Sequence, residues 1–289
     1  MTVRIADCGL RILAAAACAA VLLAHAQLSA QARRVQVGVC APLKDLEAAK
    51  AAGFDYVELG TSEIAALSDA DFAAAADRIK RLGVTTPVTN LFLPATLKVT
   101  GPDIDRDAQL RYARQAFGRL ARLGTRIVVF GSGGARRVPD GFAKDEAFTQ
   151  LVDFGRRIAP EAAAQGITVA IEPLRHEETN IINSAAEGLS LVEAIDRPNF
   201  QLMIDFYHLA SEREDPAIVR RAAPRLVHLH MANPQGRVYP RAWDEFEYGP
   251  FFAELRAIGY DKRISVEAST KDQPTDAPLA IALLRRAFQ

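Results

Sequence analysis

The sequence predicts an α/β fold, a closed barrel of eight parallel strands each followed by a helix. Three observations carry that expectation. Apolar runs of strand length alternate with amphipathic stretches along residues 34–288 without a linker, repeat or low-complexity break. Strict alternation with short connections calls for a parallel sheet with helices packed on it. Eight such units favour closure over an open doubly wound sheet, and the first strand–helix turn, "VCAPLKDL", has no G-x-G-x-x-G fingerprint.

The units follow in order. "RVQVGVC" (34–40) precedes the helical "LKDLEAAKAAG" (43–53), and "FDYVELG" (54–60) precedes "SDADFAAAADRIKRLG" (68–83). The latter has a Ser68 or Asp69 cap and closes on Gly83. "TTPVTNLFLP" (85–94) leads to "RDAQLRYARQAFGRLARLG" (106–124), and "TRIVVFGSGG" (125–134) to "DEAFTQLVDFGRRIAPEAAAQG" (145–166). "ITVAIEPL" (167–174) pairs with "AAEGLSLVEAI" (185–195), and "FQLMIDFYHL" (200–209) with "AIVRRAAPR" (217–225). "LVHLHMAN" (226–233) leads to "GPFFAELRAIG" (249–259), and "RISVEAS" (263–269) to the closing "DAPLAIALLRRAF" (276–288).

Before this lies a segment of another kind. Residues 1–32 carry Arg4 and Arg11, an apolar run from Ile12 to Leu23, and the small-residue triplets Ala24-His25-Ala26 and Ala30-Gln31-Ala32. That is the layout of a secretory signal peptide cut after Ala26 or Ala32, and the run is short for a membrane span. The expectation is a signal over 1–32, a barrel domain over 33–289, export to the periplasm and no stable membrane association. Cys8 and Cys18 leave with the signal, so Cys40 stays alone and no internal disulfide forms.

The 35 basic and 35 acidic side chains balance, which offers no electrostatic footprint for nucleic acid. "GSGGAR" (131–136) lacks the lysine and hydroxyl of a phosphate loop and reads as backbone access to a ligand or as a plain turn. Arg136 and Arg137 there could meet an anion or simply be solvated.

Function in such barrels gathers at the C-terminal ends of the strands. The fifth ends in Glu172, the sixth in Asp205 with His208 three residues on, the seventh carries His228 and His230, and the eighth ends in Glu267. Period two turns His228 and His230 to one face. A charged group ending an apolar strand is costly unless it is paired or bound to a cation. Three carboxylates meeting imidazoles, with no lysine or arginine beside them at these strand ends, point to a divalent metal; an oxygen-rich set suits Mn²⁺ foremost, with Mg²⁺ or Co²⁺ as alternatives.

The order Glu … Asp-x-x-His … His-x-His … Glu, with "NLFLP" (90–94), "EPLRHEETNIIN" (172–183), "GRVYP" (236–240) and "YGPFFAELRAIGYD" (248–261), resembles the xylose-isomerase-like TIM-barrel sugar isomerases and epimerases. Within them it is most similar to the ketose 3-epimerase, hydroxypyruvate isomerase and inosose dehydratase group. The resemblance implies metal ligands Glu172, Asp205, His230 and Glu267, with His228 one pleat deeper as a supporting or core histidine. It implies substrate contacts from His208, Glu178 and Arg237. The stretch 175–177 departs from the asparagine–arginine–aromatic sequence expected there.

The implied activity moves a proton alpha to a carbonyl of an unphosphorylated sugar or keto-sugar through a cis-enediolate, with Glu172 and Glu267 as the proton-exchanging pair. The same site would serve a keto-sugar dehydratase or lyase. A non-catalytic sugar-binding protein and a metallonuclease are the rival classes; the second wants more histidines and a basic groove. Glu58, ending "YVEL", is read either as a pocket residue or as half of a buried ion pair. Asn90 and Phe92 are expected to line the opening, and Asn183 to orient Glu172 or a substrate hydroxyl. Trp243, Phe246 and Tyr248 are read as a lid or a packed surface loop, and segment 243–252 as a possible homo-oligomer contact.

Overall fold

In the computed structural model, which describes residues 35–289, eight strands close a parallel barrel in sequence order. They are β1 (Gln36–Cys40), β2 (Tyr56–Gly60), β3 (Val88–Asn90), β4 (Ile127–Phe130), β5 (Thr168–Ile171), β6 (Phe200–Asp205), β7 (Leu226–Met231) and β8 (Arg263–Val266). Closure is the parallel pairing of β8 with β1, Val37 opposite Ile264. The expected signal segment lies outside the described residues. Among those described, no helix is long and apolar enough to cross a membrane.

Among the described residues, eleven α-helices surround the barrel: α1 (Leu46–Ala51), α2 (Thr61–Ala66), α3 (Asp69–Leu82), α4 (Arg106–Arg122), α5 (Gly133–Arg136), α6 (Lys144–Ala164), α7 (Ala185–Ile195), α8 (Phe206–Ser211), α9 (Ile218–Ala222), α10 (Gly249–Ala257) and α11 (Gln273–Ala287). Their starts obey local chemistry. The Ser68 and Ser184 hydroxyls accept from Asp71 and Glu187 N–H, and Asp105 accepts from Ala108 N–H. Gly83 ends α3 at φ 61°, the left-handed cap that glycine takes without strain.

Period two gives the barrel interior two zones. Tyr56, Val88, Ile127, Val129, Ala170 and Met203 form a buried apolar cluster in its lower part. The inward positions that follow on the same strands are polar: Glu58, Asn90, Glu172 and Asp205. Gly38 makes room for this floor, since a Cβ there would lie 2.2 Å from the Tyr56 ring. An apolar plug thus excludes water beneath a polar mouth, where charge interactions gain strength.

Three helices were not expected from the sequence: α2, α5 and α8. The last corrects the sixth unit, read as extended to residue 209. Asp205 Oδ1 accepts from Tyr207 N–H at 2.8 Å, so the strand-end carboxylate caps a helix that begins at the next residue. His208 therefore stands on a helical turn, above the strand end.

Candidate active site and metal centre

Four side chains from four consecutive strand ends meet in the mouth. Glu172, Asp205, His230 and Glu267 each offer one donor atom, and all four atoms lie within 4.8 Å of one another. His230 Nδ1 sits 3.2 Å from Glu172 Oε1 and 3.5 Å from Glu267 Oε2. Its other nitrogen, Nε2, lies 2.9 Å from Glu58 Oε1.

Electrostatics make the set uneasy by itself. Burial and the charges of Glu267 and Glu172 push Asp205 up to about 8. Burial and Glu267 also raise Glu172. Burial alone would raise Glu267, but His230 and Arg237 outweigh it and pull that carboxyl down to about 2. Burial disfavours a charged His230, yet Glu58, Cys40 and Glu267 lift it well above the ordinary imidazole range. Asp205 Oδ2, opposite the oxygen that caps α8, accepts no hydrogen bond. Crowded buried carboxylates, one with an orphan oxygen facing an imidazole nitrogen, fit a small divalent cation of the Mn²⁺, Mg²⁺ or Co²⁺ kind.

Around the set lies a cavity of about 490 Å³ lined by Cys40, Leu91, Gly131, Leu174, Arg237 and Ser269, among others. Arg237 Nη2 is 2.5 Å from Glu267 Oε2 and 3.7 Å from Asp205 Oδ2, and Nη1 is 3.2 Å from Glu178 Oε1. The loop after β7 aims it. Asn233 N–H donates to Val238 O, Ser269 N–H donates to Arg237 O, and Arg237 itself takes a left-handed φ of 50°. His208 accepts from Arg175 N–H through Nδ1, which leaves Nε2–H directed at Asp205 Oδ2 (3.5 Å) and Glu178 Oε2 (4.0 Å). Burial and Arg237 lower His208 to about 3, so the ring is neutral and presents a proton donor.

The other sequence candidates fall into different places. Glu58 does not line the cavity: it is fully buried, bonded to both His230 and His228, and takes the ion-pair reading. Burial pushes Glu58 up, but the two histidines more than reverse this and hold it well below the usual carboxylate range. Asn90 stands behind Glu267, donating from Nδ2 to Oε1 at 3.1 Å, and is itself buried. Asn183 reaches neither Glu172 nor the cavity. Its amide donates to Leu174 O and Thr179 O, which pins the loop that carries Glu178.

Phe92 is a correction of the same kind. It is fully buried, stacked on Phe117 and edge-on to Phe130. The chain leaves β3 through Leu91 at φ 48°, which breaks the alternation and turns Leu91, 56% exposed, to the opening instead. Tyr248 is buried against Phe206, and Phe246 and Trp243 pack on it, so residues 243–248 are a packed loop that leads into α10 at Gly249. Arg136 is fully buried with Nη2 donating to Glu172 O, while Arg137 is exposed and reaches Glu177 O.

The sequence reading missed Cys40, whose Sγ is 3.9 Å from His230 Nε2, and Ser265, bonded to Glu58. Both sit on inward positions, Cys40 ending β1 and Ser265 two before Glu267, so the period-two rule could have found them. It also left the glycines of 131–134 undecided. A Cβ at Gly131 would lie 2.3 Å from Glu172 Oε2, so this bend is bare to let that carboxylate pass.

Barrel and mouth together define an α/β barrel of the kind that works through a carboxylate–imidazole cluster at its strand ends. The chain belongs to the xylose isomerase-like TIM barrel family, whose model matches residues 46–287. It is similar to the L-ribulose 3-epimerase of Methylomonas sp. (strain DH-1), 28% identical over 234 residues, 79% of each chain. It is also similar to the 2-oxo-tetronate isomerase of Pectobacterium atrosepticum, 28% identical over 142 residues, 48% of this chain and 54% of that one. The crystal structure of a D-allulose 3-epimerase from Methylomonas sp. in complex with D-allulose superposes with a TM-score of 0.78 at 25% identity, over 88% of this chain and 98% of that one.

Proposed function

We propose that this chain is a divalent-metal-dependent sugar epimerase or isomerase that moves a proton alpha to a carbonyl of an unphosphorylated sugar or keto-sugar. One observation carries the reading: Glu172 and Glu267 flank the Asp205–His230 pair from different strands, so two carboxylates border the place a reacting carbon would take. The names of the similar proteins, a 3-epimerase and a keto-acid isomerase, agree with it.

A bound divalent cation would supply charge stabilisation for a developing enediolate, and Glu172, Asp205, His230 and Glu267 would hold it. The protein's own groups do the rest. Without a cation, burial and Glu267 raise Glu172 while His230 and Arg237 lower Glu267, so the two carboxyls stand in unlike surroundings, as an accepting and a delivering group do. Removal on one side and return on the other inverts the carbon; return to the neighbouring carbon isomerises. Neutral His208 donates from Nε2–H to a substrate oxygen, and Arg237 with Glu178 binds hydroxyls at the rim. Asn90 keeps Glu267 aimed while it exchanges its proton. The apolar floor under the cluster keeps bulk water from competing for that proton.

The same proposal takes Mn²⁺ as the ion and the periplasm as the place of work, both resting on the sequence reading above. Purified protein should carry a stoichiometric divalent metal. Incubated in heavy water with ketoses and keto-glycosides, it should place deuterium on carbon without loss of water. Deuterium uptake with release of a β-substituent would assign a dehydratase or lyase to this site. Sugar binding with no exchange at any carbon would leave a binding protein.

A further inference from the structure

We propose that Glu58 is a positioning residue that fixes the tautomer of His230, so that Nδ1 is the ring atom presented to the cation. This rests on the metal-dependent reading above and adds a residue to it that neither lines the cavity nor belongs to the ligand set.

The geometry is a fully enclosed chain of hydrogen bonds one layer below the cluster. Glu58 Oε1 faces His230 Nε2 at 2.9 Å, and Oε2 faces His228 Nε2 at 2.9 Å. Ser265 Oγ donates to Oε2 at 2.5 Å, and Tyr56 Oη lies 2.8 Å from Ser265 Oγ. Tyr56, Glu58, His228, His230 and Ser265 are all buried. A buried carboxylate is tolerated only where its oxygens are met by donors, and here three donors meet the two.

Those donors assign the protons. His228 Nδ1 has no partner, so its one ring hydrogen is on Nε2, toward Glu58. His230 meets the same carboxylate through Nε2, and only Nε2–H can bond to it; the other tautomer would set lone pair against lone pair. A cation seated among Glu172, Asp205 and Glu267 then takes the place of any hydrogen on Nδ1, and Nδ1 is the one ring atom left to turn a lone pair to it. The carboxylate behind the ring also strengthens Nδ1 as a donor to metal, the ordinary effect of such a partner. His228 and the Tyr56–Ser265 pair keep Glu58 from turning, which gives the deeper of the two strand histidines its task.

Cys40, Glu58 and His230 also lie close enough to hold an ion by themselves, through Nε2. That arrangement would need Nε2 stripped of its hydrogen, and the two placements are distinguishable.

The test begins with unaltered protein, labelled with ¹⁵N at histidine and loaded with diamagnetic Mg²⁺. Long-range ¹H–¹⁵N spectra should show His230 with hydrogen on Nε2 and none on Nδ1; the reverse, or a cation seated on Nε2 and Cys40, overturns the proposal. In Glu58→Gln, calorimetric titration should show Mn²⁺ affinity lower by about 10–100-fold. The visible spectrum of the Co²⁺ form should shift, which a purely structural residue would not cause. Affinity and spectrum matching the unaltered protein would sink the idea. Should Glu58→Gln fail to fold, Ser265→Ala keeps the carboxylate and loosens one oxygen; it should weaken Mn²⁺ binding several-fold, and no change counts against the proposal. If the unaltered protein takes up no divalent cation, the metal-dependent reading itself fails, and this inference with it.

Discussion

Arg237 Nη2 lies 2.5 Å from Glu267 Oε2, so a guanidinium already occupies part of the negative field that would receive a cation. The same side chain bridges to Glu178, on a loop from the other side of the mouth. Arg237→Ala should therefore split two properties. Mn²⁺ affinity should rise modestly, because a like charge is removed from the cluster, while KM for the sugar should rise by about tenfold or more with the loss of a charged hydrogen bond. Parallel calorimetry and kinetics check this; the two constants weakening together would contradict it.

Glu172→Gln and Glu267→Gln should each lower kcat by about 10²–10⁴-fold, the usual worth of a positioned proton-transfer group. Asn90 can still donate to the glutamine oxygen at 267, so the sugar should still bind. Rates of solvent deuterium uptake measure the first effect and equilibrium binding the second.

Metal removal should be felt in stability, and more so at higher pH. Burial and neighbouring carboxylates raise Asp205 to about 8. Below the unfolded carboxylate range both states hold the proton, so Asp205 does not oppose folding there. Between that range and about 8 the unfolded chain ionises while the folded one keeps its proton, so metal-free stability falls as pH rises across the window. A cation takes the proton's place. The gain in Tm on adding Mn²⁺ should thus be larger near pH 8 than near about pH 5, and saturating metal at about 100 times its Kd should add about 2.7 kcal/mol. Scanning calorimetry with and without a chelator reads both.

Gly131→Ala should fold and yet lose metal. Its Cβ would stand 2.3 Å from Glu172 Oε2, so the carboxylate must leave its place. Circular dichroism near that of the parent with weakened Mn²⁺ uptake is the expected pair of results.

Leu91 and Phe92 should behave oppositely despite being neighbours. Phe92→Ala should cost about 3–5 kcal/mol by emptying an aromatic cluster. Leu91→Ala, on the exposed side chain at the cavity, should leave Tm near the parent value and change KM. Thermal melts and steady-state kinetics separate them.

The ring of eight strands and the meeting of Glu172, Asp205, His230 and Glu267 were legible because both follow from period two along short apolar runs. What resisted reading were the places where the backbone leaves that period. Leu91 at φ 48° exchanges the sides that Leu91 and Phe92 would take on a continuing strand. Asp205 starts a helix where the apolar run "FYHL" suggested more strand. Asn183 was misplaced and Glu58 left open between two readings for another reason: each is polar near the mouth, but its partners, Leu174 O and Thr179 O for one and two histidines for the other, come from other segments and leave no trace in local sequence.

Asp205 has one oxygen tied to the first turn of α8 and the other open to the cluster, and His208 rides on that same turn. A pull on the free oxygen is thus a pull on the turn that carries the His208 imidazole. On the proposed reading, whatever grips that oxygen also braces the imidazole, so occupancy of the centre and the stance of His208 are mechanically joined.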